Sequence, residues 1–403
     1  LPTSTTVSIV FELLGAAVAV SLIKLGSDAE TASTLAGYIN SGKALAIISG
    51  ILLSVIVAFL IGAIVQYFVR FIFSFQYKKY LKYFGALWGG LAITAITYFI
   101  LIKGAKGSSF LTDANQNWIR DYSSTILLFS FIGWSLILQV LYWFSKVNIF
   151  RGIVLVGTFA LAMAFAGNDL VNFIGVPIAG LKAFQDFSAS GGIAPDSLLM
   201  DGLTGSVKTN TFLLLSAGII MVITLYFSKK ARSVTQTEIN LSRQGEGYER
   251  FGSNNFSRLV VRKAIEFNKS VTSILPGRMR KAIDRRFSIN NEPEVKKAKK
   301  EDKAYFDLVR ASVNLTVASI IISFATSLKL PLSTTYVTFM VAMGTSLADR
   351  AWGRESAVYR ITGVLTVIGG WFFTALIAFT VAFVVANIIT DRKSTRLNSS
   401  HYS

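Results

Sequence analysis

The apolar stretch from Ile153 to Leu181 carries Gly167-Asn168-Asp169-Leu170-Val171-Asn172 at its middle. An ionisable side chain near a bilayer centre costs about 2.5–3.5 kcal/mol on insertion scales, so a carboxylate there points to function. Asp169 supplies formal negative charge for a cation, and Asn168 and Asn172 add neutral oxygens at i,i+4 spacing where the segment is helical. The plainer alternative is a structural Asp paired with a polar group on a neighbouring helix. A second pattern occurs twice: Leu1-Pro2-Thr3-Ser4-Thr5-Thr6 returns as Leu330-Pro331-Leu332-Ser333-Thr334-Thr335, 329 residues later, with Gly15 matching Gly344. Pro331 ends any helix before it, and Ser333 or Thr334 can cap the next one. The free N–H groups of a first turn and the hydroxyls beside them then favour an anion, without the desolvation of a buried Lys or Arg. One Ser-Thr-Thr before an apolar run is ordinarily a cap. Its recurrence points to one small polar ligand held between two halves of the chain.

The elements that must position these residues are membrane helices. The chain is 52% hydrophobic and only 15% charged, with a mean hydropathy of +0.54, far from the balance of a soluble domain. Apolar windows are expected to cross the membrane at 7–23, 44–69, 83–102, 124–144, 152–181, 211–228, 306–328, 331–348 and 357–389. The roughly 30-residue window 152–181 exceeds what about 30 Å of hydrocarbon requires, and Gly167, Gly175 and Pro177 predict a break in it. Loops 70–82 and 145–151 carry Lys and Arg without acids, and 229–303 holds 19 Lys/Arg against 9 Asp/Glu. The short loops predict that all three lie in the cytoplasm. If 306–328 crosses fully rather than forming one arm of a re-entrant hairpin, the two Ser-Thr-Thr copies run in opposite directions. Such inverted repeats place substrate at the midplane between halves.

Composition also narrows the chemistry. There is no cysteine, and the only histidine is His401, which removes thiolate, Cys/His-zinc and Ser-His-Asp chemistry. No enzyme activity and no cofactor is expected. The net charge of +18 would suit nucleic acid, but no recognition motif accompanies it and none is expected as partner. Arg258–Ala282 reads as a basic amphipathic segment able to lie on anionic lipid, the alternative being a solvated cytoplasmic linker or a docking surface. Glu12 has Val341 as its repeat partner, and Lys329 beside Pro331 reads as a snorkelling cation.

Gly167-Asn168-Asp169-Leu170-Val171-Asn172 together with the two Pro-x-Ser-Thr-Thr motifs resembles the inorganic phosphate transporter (PiT) family, over most of the membrane core. The resemblance implies an all-α polytopic inverted-repeat fold with broken helices and Ser-Thr-Thr helix N-termini at the midplane. It implies a homodimer in the bacterial inner membrane that imports inorganic phosphate with Na⁺ or H⁺ by alternating access. Asp169 and Asn172 would then bind the coupling cation, and Asn168, Ser4, Thr5, Thr6, Ser333, Thr334 and Thr335 would surround phosphate. Sulfate or another tetrahedral oxyanion is the alternative cargo, and an anion channel the alternative class. The family's second Asn-Asp motif would precede Leu1, so N-terminal truncation is expected. Val7 and Tyr336 stand where the family commonly has His. The implied organisation is 1–69 for the remainder of the first repeat, 70–151 for connecting helices and 152–228 for the start of the second repeat. A basic cytoplasmic loop follows at 229–305, then the end of the second repeat at 306–391. The abruptly polar 392–403 reads as a non-native tail.

Overall fold

The computed structural model describes residues 4–27, 35–99, 112–193, 209–229, 276–287, 305–328, 332–349 and 354–400, with short stretches within 198–203 and 243–273 and at Leu330. Helices α1 (Thr5–Ser27), α2 (Leu35–Tyr38), α3 (Ser41–Phe73) and α4 (Tyr77–Tyr80) lead through a π turn at Leu81–Gly85 into α5 (Ala86–Thr97). After α6 (Asp113–Asp121) and α7 (Ser123–Ser145), the left-handed Lys146 ends one helix and Asn148 caps α8 (Ile149–Ala189). Then come α9 (Thr211–Phe227), α10 (Gly277–Arg286), α11 (Leu308–Ser327), α12 (Thr334–Ala348) and α13 (Arg354–Ser400). A two-residue antiparallel ladder joins Arg243–Gln244 to Tyr305–Phe306.

Among the described residues six helical segments are long and apolar enough to cross a membrane: Thr5–Gly26, Ala44–Phe73, Ser123–Ser145, Ile149–Ala189, Leu308–Ser327 and Ile361–Thr390. The architecture is that of a membrane-embedded helical protein. Within it α11 is central, with 67% of its window buried, whereas α7 buries none. The centre of such a bundle tolerates polar side chains only where they find partners. Accordingly, the buried face of α11 carries Arg310, Ser312, Asn314, Thr316 and Ser319.

Helices α1 and α12 pack chiefly on partners distant in sequence: α1 on α13, and α12 on α3. The crossings are close because they are built on glycine. A Cβ on Gly15 would overlap the Phe379 carbonyl, and one on Gly344 would overlap the Phe59 carbonyl. Directions follow from contacts at the two ends of α3, which is about 50 Å long. Lys24, at the end of α1, lies 5.8 Å from the Tyr38 ring just before α3 begins. Asp349, at the end of α12, meets Arg70 where α3 finishes. Both helices start beside α8, so α1 and α12 leave that place in opposite directions along α3.

Helix α11 and α12 form an antiparallel hairpin, because Asp307 at the start of α11 and Asp349 at the end of α12 bind the same guanidinium. Several expected spans come out shorter. The segment expected at 331–348 is an α-helix over 15 residues and α9 is one over 17. The break expected at Gly167, Gly175 or Pro177 is corrected: α8 runs unbroken for 41 residues. Pro177 forgoes the N–H bond to the Phe173 carbonyl and crowds that carbonyl at a cost of about 3 kcal/mol, and a glycine costs a helix about 1 kcal/mol, but a long packed helix outweighs both. Of the basic segment, α10 docks at the end of α3: Phe287 stacks on Tyr67 at 5.2 Å, and Arg286 lies 4.6 Å from the Tyr80 ring. Helix α13 continues through the expected tail to Ser400. Leu1, Pro2, Thr3, Lys329, Pro331 and His401 lie outside the described residues.

Candidate functional site

Asp169 sits half-buried on α8 where the starts of α1 and α12 meet it. Its Oδ2 accepts from Thr334 Oγ1 at 2.8 Å. Its Oδ1 accepts from Thr5 Oγ1 at 3.4 Å and from the side-chain amides of Asn168 at 3.2 Å and Asn172 at 3.4 Å. One hydroxyl from each Ser-Thr-Thr copy therefore reaches the same carboxylate, Thr5 from α1 and Thr334 from α12. Asn172 also donates to Thr6 Oγ1 at 2.9 Å and to Thr5 Oγ1 at 3.4 Å, and Asn168 donates to the Leu332 carbonyl at 3.3 Å. All four partners of the carboxylate are neutral donors. Among the described residues no Lys or Arg pairs with it.

The two copies are built alike at the backbone. Ser4 Oγ accepts from Val7 N–H at 3.2 Å, and Ser333 Oγ accepts from Tyr336 N–H at 3.3 Å. Each Ser is thus the cap of its helix, one position before the Thr that reaches Asp169. This division of labour explains the motif: the Ser ends the loop and fixes the helix start, and the next Thr points across to α8. Ser4, Thr6, Asn168, Ser333 and Thr334 are buried, while Thr5 is exposed and Asp169, Asn172 and Thr335 are intermediate. Ser4 and Ser333 bond only to the backbone of their own helices, and Thr335 makes no side-chain hydrogen bond to the cluster. Glu12 is exposed on α1, away from it.

One carboxylate surrounded by Asn and Thr oxygens has the donor set of a hard monovalent cation or a proton. Two capped helix starts facing it add N–H groups and positive dipole ends suited to an anion. Among the described residues no group of three His, Cys, Asp or Glu is placed to hold a metal ion. The cluster thus sets one carboxylate and two capped helix starts side by side.

Sequence reasoning missed a second polar centre, at the far end of α12. Arg70, Arg310, Asp307 and Asp349 are all at most 2% exposed. Arg70 donates from Nε to Asp349 Oδ1 at 2.8 Å, and from Nη2 to Asp349 Oδ2 at 2.7 Å and Asp307 Oδ2 at 2.5 Å. Gln66 donates to Asp349 at 2.8 Å, and Arg310 donates to Ser346 at 2.9 Å and pairs with Asp349 at 3.8 Å. Asp307 also caps α11 by accepting from Val309 and Arg310 N–H. Burial alone would raise the Asp307 carboxyl, but the Arg70 and Arg310 guanidinium groups outweigh it and hold it below the usual carboxylate range. The readable signals were Asp307 and Arg310, two charges inside the window expected at 306–328; Arg70 and Asp349 read only as loop charges. The centre pins the ends of α3, α11 and α12 together, about 22 Å along α12 from Thr334.

Comparison with protein-family models, with curated proteins and with solved structures found no match to this chain.

Proposed function

We propose that this protein is a cation-coupled symporter of inorganic phosphate, of the kind the Asn-Asp and Ser-Thr-Thr motifs resemble. The observation that carries the reading is the meeting of hydroxyls from both motif copies at one unpaired carboxylate on α8. The opposed directions of α1 and α12, and their exchanged packing on α13 and α3, support an inverted repeat around that point. In this reading Asp169, with Asn172, holds Na⁺ or a proton. The Thr5, Thr6, Thr334 and Thr335 hydroxyls, Asn168, and the helix starts capped by Ser4 and Ser333 hold phosphate.

The arrangement supplies a reason for coupling. A bare carboxylate and an anion about 5 Å apart repel by roughly 3 kcal/mol per charge pair at an effective dielectric of 20. A cation or proton on Asp169 removes that repulsion and frees the threonine hydroxyls to donate to the oxyanion. Phosphate and cation then bind together or not at all. The buried Arg70–Asp307–Asp349 centre closes the α3–α11–α12 end in this conformation, and alternating access requires it to loosen.

The test is radiolabelled phosphate uptake into proteoliposomes, with and without a Na⁺ or pH gradient, comparing the wild type with Asp169→Asn. Gradient-dependent uptake that sulfate does not outcompete and that collapses in Asp169→Asn is expected. Accumulation of sulfate instead of phosphate overturns the substrate, and flux that saturates with neither ion and ignores the gradient overturns symport.

A further inference from the structure

A cleft of about 420 Å³ lies at the other end of α8 from the residues discussed above, lined by Lys78, Leu81, Tyr142, Trp143, Lys146 and Asn148. Three elements build it: α4 with the π turn, the last turn of α7, and the α7–α8 turn. Its floor is fixed. Asn148 donates to the Tyr77 hydroxyl at 3.2 Å and accepts from Phe150 N–H at 3.1 Å, and the Phe150 ring meets Tyr77 and Phe73 edge-on. The left-handed backbone at Lys146 turns the chain at the cleft, which Lys146 and Lys78 both line.

The two segments that supply the cleft's lysines are basic: residues 70–82 and 145–151 contain Arg70, Lys78, Lys79, Lys82, Lys146 and Arg151 and no Asp or Glu. The surroundings are apolar and uncovered. Trp143 is 67% exposed, Phe144 86% and Tyr83 62%, and the exposed Leu87 and Leu91 of α5 and Val140 and Leu141 of α7 continue away from the cleft. A site for a dissolved anion has no use for such a rim, whereas a lipid needs both parts. Cations hold its phosphate at the interface, indole and phenol rings lie at headgroup level, and acyl chains cover the apolar helix faces.

We propose that this cleft binds the phosphate headgroup of an anionic phospholipid, with Lys78 and Lys146 as its two cations and Trp143 at its lipid-facing edge. The lipid clasps α4, α7 and α8 together from outside. The proposal is independent of the transport reading, because about 31 Å of helix separates Asn148 from Asp169.

The experiment uses the full chain, purified and placed in phosphatidylcholine nanodiscs with graded phosphatidylglycerol, and counts retained lipids by native mass spectrometry. The test variant is Lys78→Ala/Lys146→Ala. The control, Arg278→Ala/Arg280→Ala, removes the same charge from exposed positions on α10. Loss of two lysines is expected to weaken phosphatidylglycerol retention roughly thirty-fold, the control less than threefold, and Lys78→Arg/Lys146→Arg is expected to retain it. Equal losses in test and control variants would reduce the effect to general surface charge and overturn the proposal. Equal retention of phosphatidylcholine, or displacement of phosphatidylglycerol by millimolar inorganic phosphate, would overturn it too, the latter by assigning the cleft to a free oxyanion.

Discussion

Asp349→Asn tests the buried ionic centre most directly. Asp349 accepts two hydrogen bonds from Arg70 and one from Gln66, and faces Arg310 at 3.8 Å, with every charged partner nearly inaccessible. Arg70 and Arg310 against Asp307 and Asp349 make a neutral set. The substitution keeps the shape but leaves one net positive charge in a site without water to receive it. Removing one partner of such a pair costs about 3–5 kcal/mol. Asp349→Asn with Arg310→Met restores neutrality, so the double variant is expected to recover at least about 1.5 kcal/mol relative to the sum of the singles. Unfolding of all four proteins in one detergent, followed by helicity against denaturant, measures both quantities. A loss below about 1 kcal/mol for Asp349→Asn, or strict additivity in the double variant, would refute the argument that charge balance holds α3, α11 and α12 together.

Other consequences are as direct. Thr334→Ala removes a hydroxyl 2.8 Å from the Asp169 carboxylate. In the proposed reading this hydroxyl passes to the oxyanion once a cation sits on Asp169, and hydrogen bonds to charged groups contribute about 1.5–3 kcal/mol, so phosphate half-saturation in the uptake assay is expected to rise at least tenfold, with Thr334→Ser close to wild type. Gly15→Ala and Gly344→Ala each drive a methyl into a backbone carbonyl and are expected to cost about 1–3 kcal/mol, while Gly167→Ala, which meets nothing within 4 Å, stays within about 1 kcal/mol; the same unfolding assay reads all three. Because the folded-state Asp307 carboxyl lies below its ordinary value, its contribution is fully present above the ordinary carboxylate range and is lost as pH falls through the lowered folded value. Acid titration of Tm is therefore expected to show a destabilising limb on the acid side that Asp307→Asn flattens.

Much of the candidate site was readable in one dimension. A carboxylate flanked by two Asn in an apolar stretch is conspicuous because the bilayer penalises it, and a six-residue motif repeated 329 positions later needs no structure to be seen. The matched glycines Gly15 and Gly344 were visible too, although only the packing shows that each is pressed against the backbone of a helix beyond the other copy. Periodicity and length located the long helices, since hydrocarbon thickness sets a minimum apolar run.

Tertiary structure decided the rest. Sequence could nominate Ser4, Thr5 and Thr6 together, but which hydroxyl caps and which reaches Asp169 depends on how α1 and α12 approach α8. Likewise Gly175 and Pro177 signalled a break that α8 does not make, because local costs of about 1 kcal/mol for Gly and about 3 kcal/mol for Pro yield to the packing of a whole helix. Arg70 and Asp349 looked like two unrelated loop charges, separated by 279 positions, and Asp307 like the edge of an apolar window. Local sequence carries burial, period and caps, which act over a turn or two. Ion pairing in a low-dielectric interior depends on which distant segments meet, and only the folded chain brings these together.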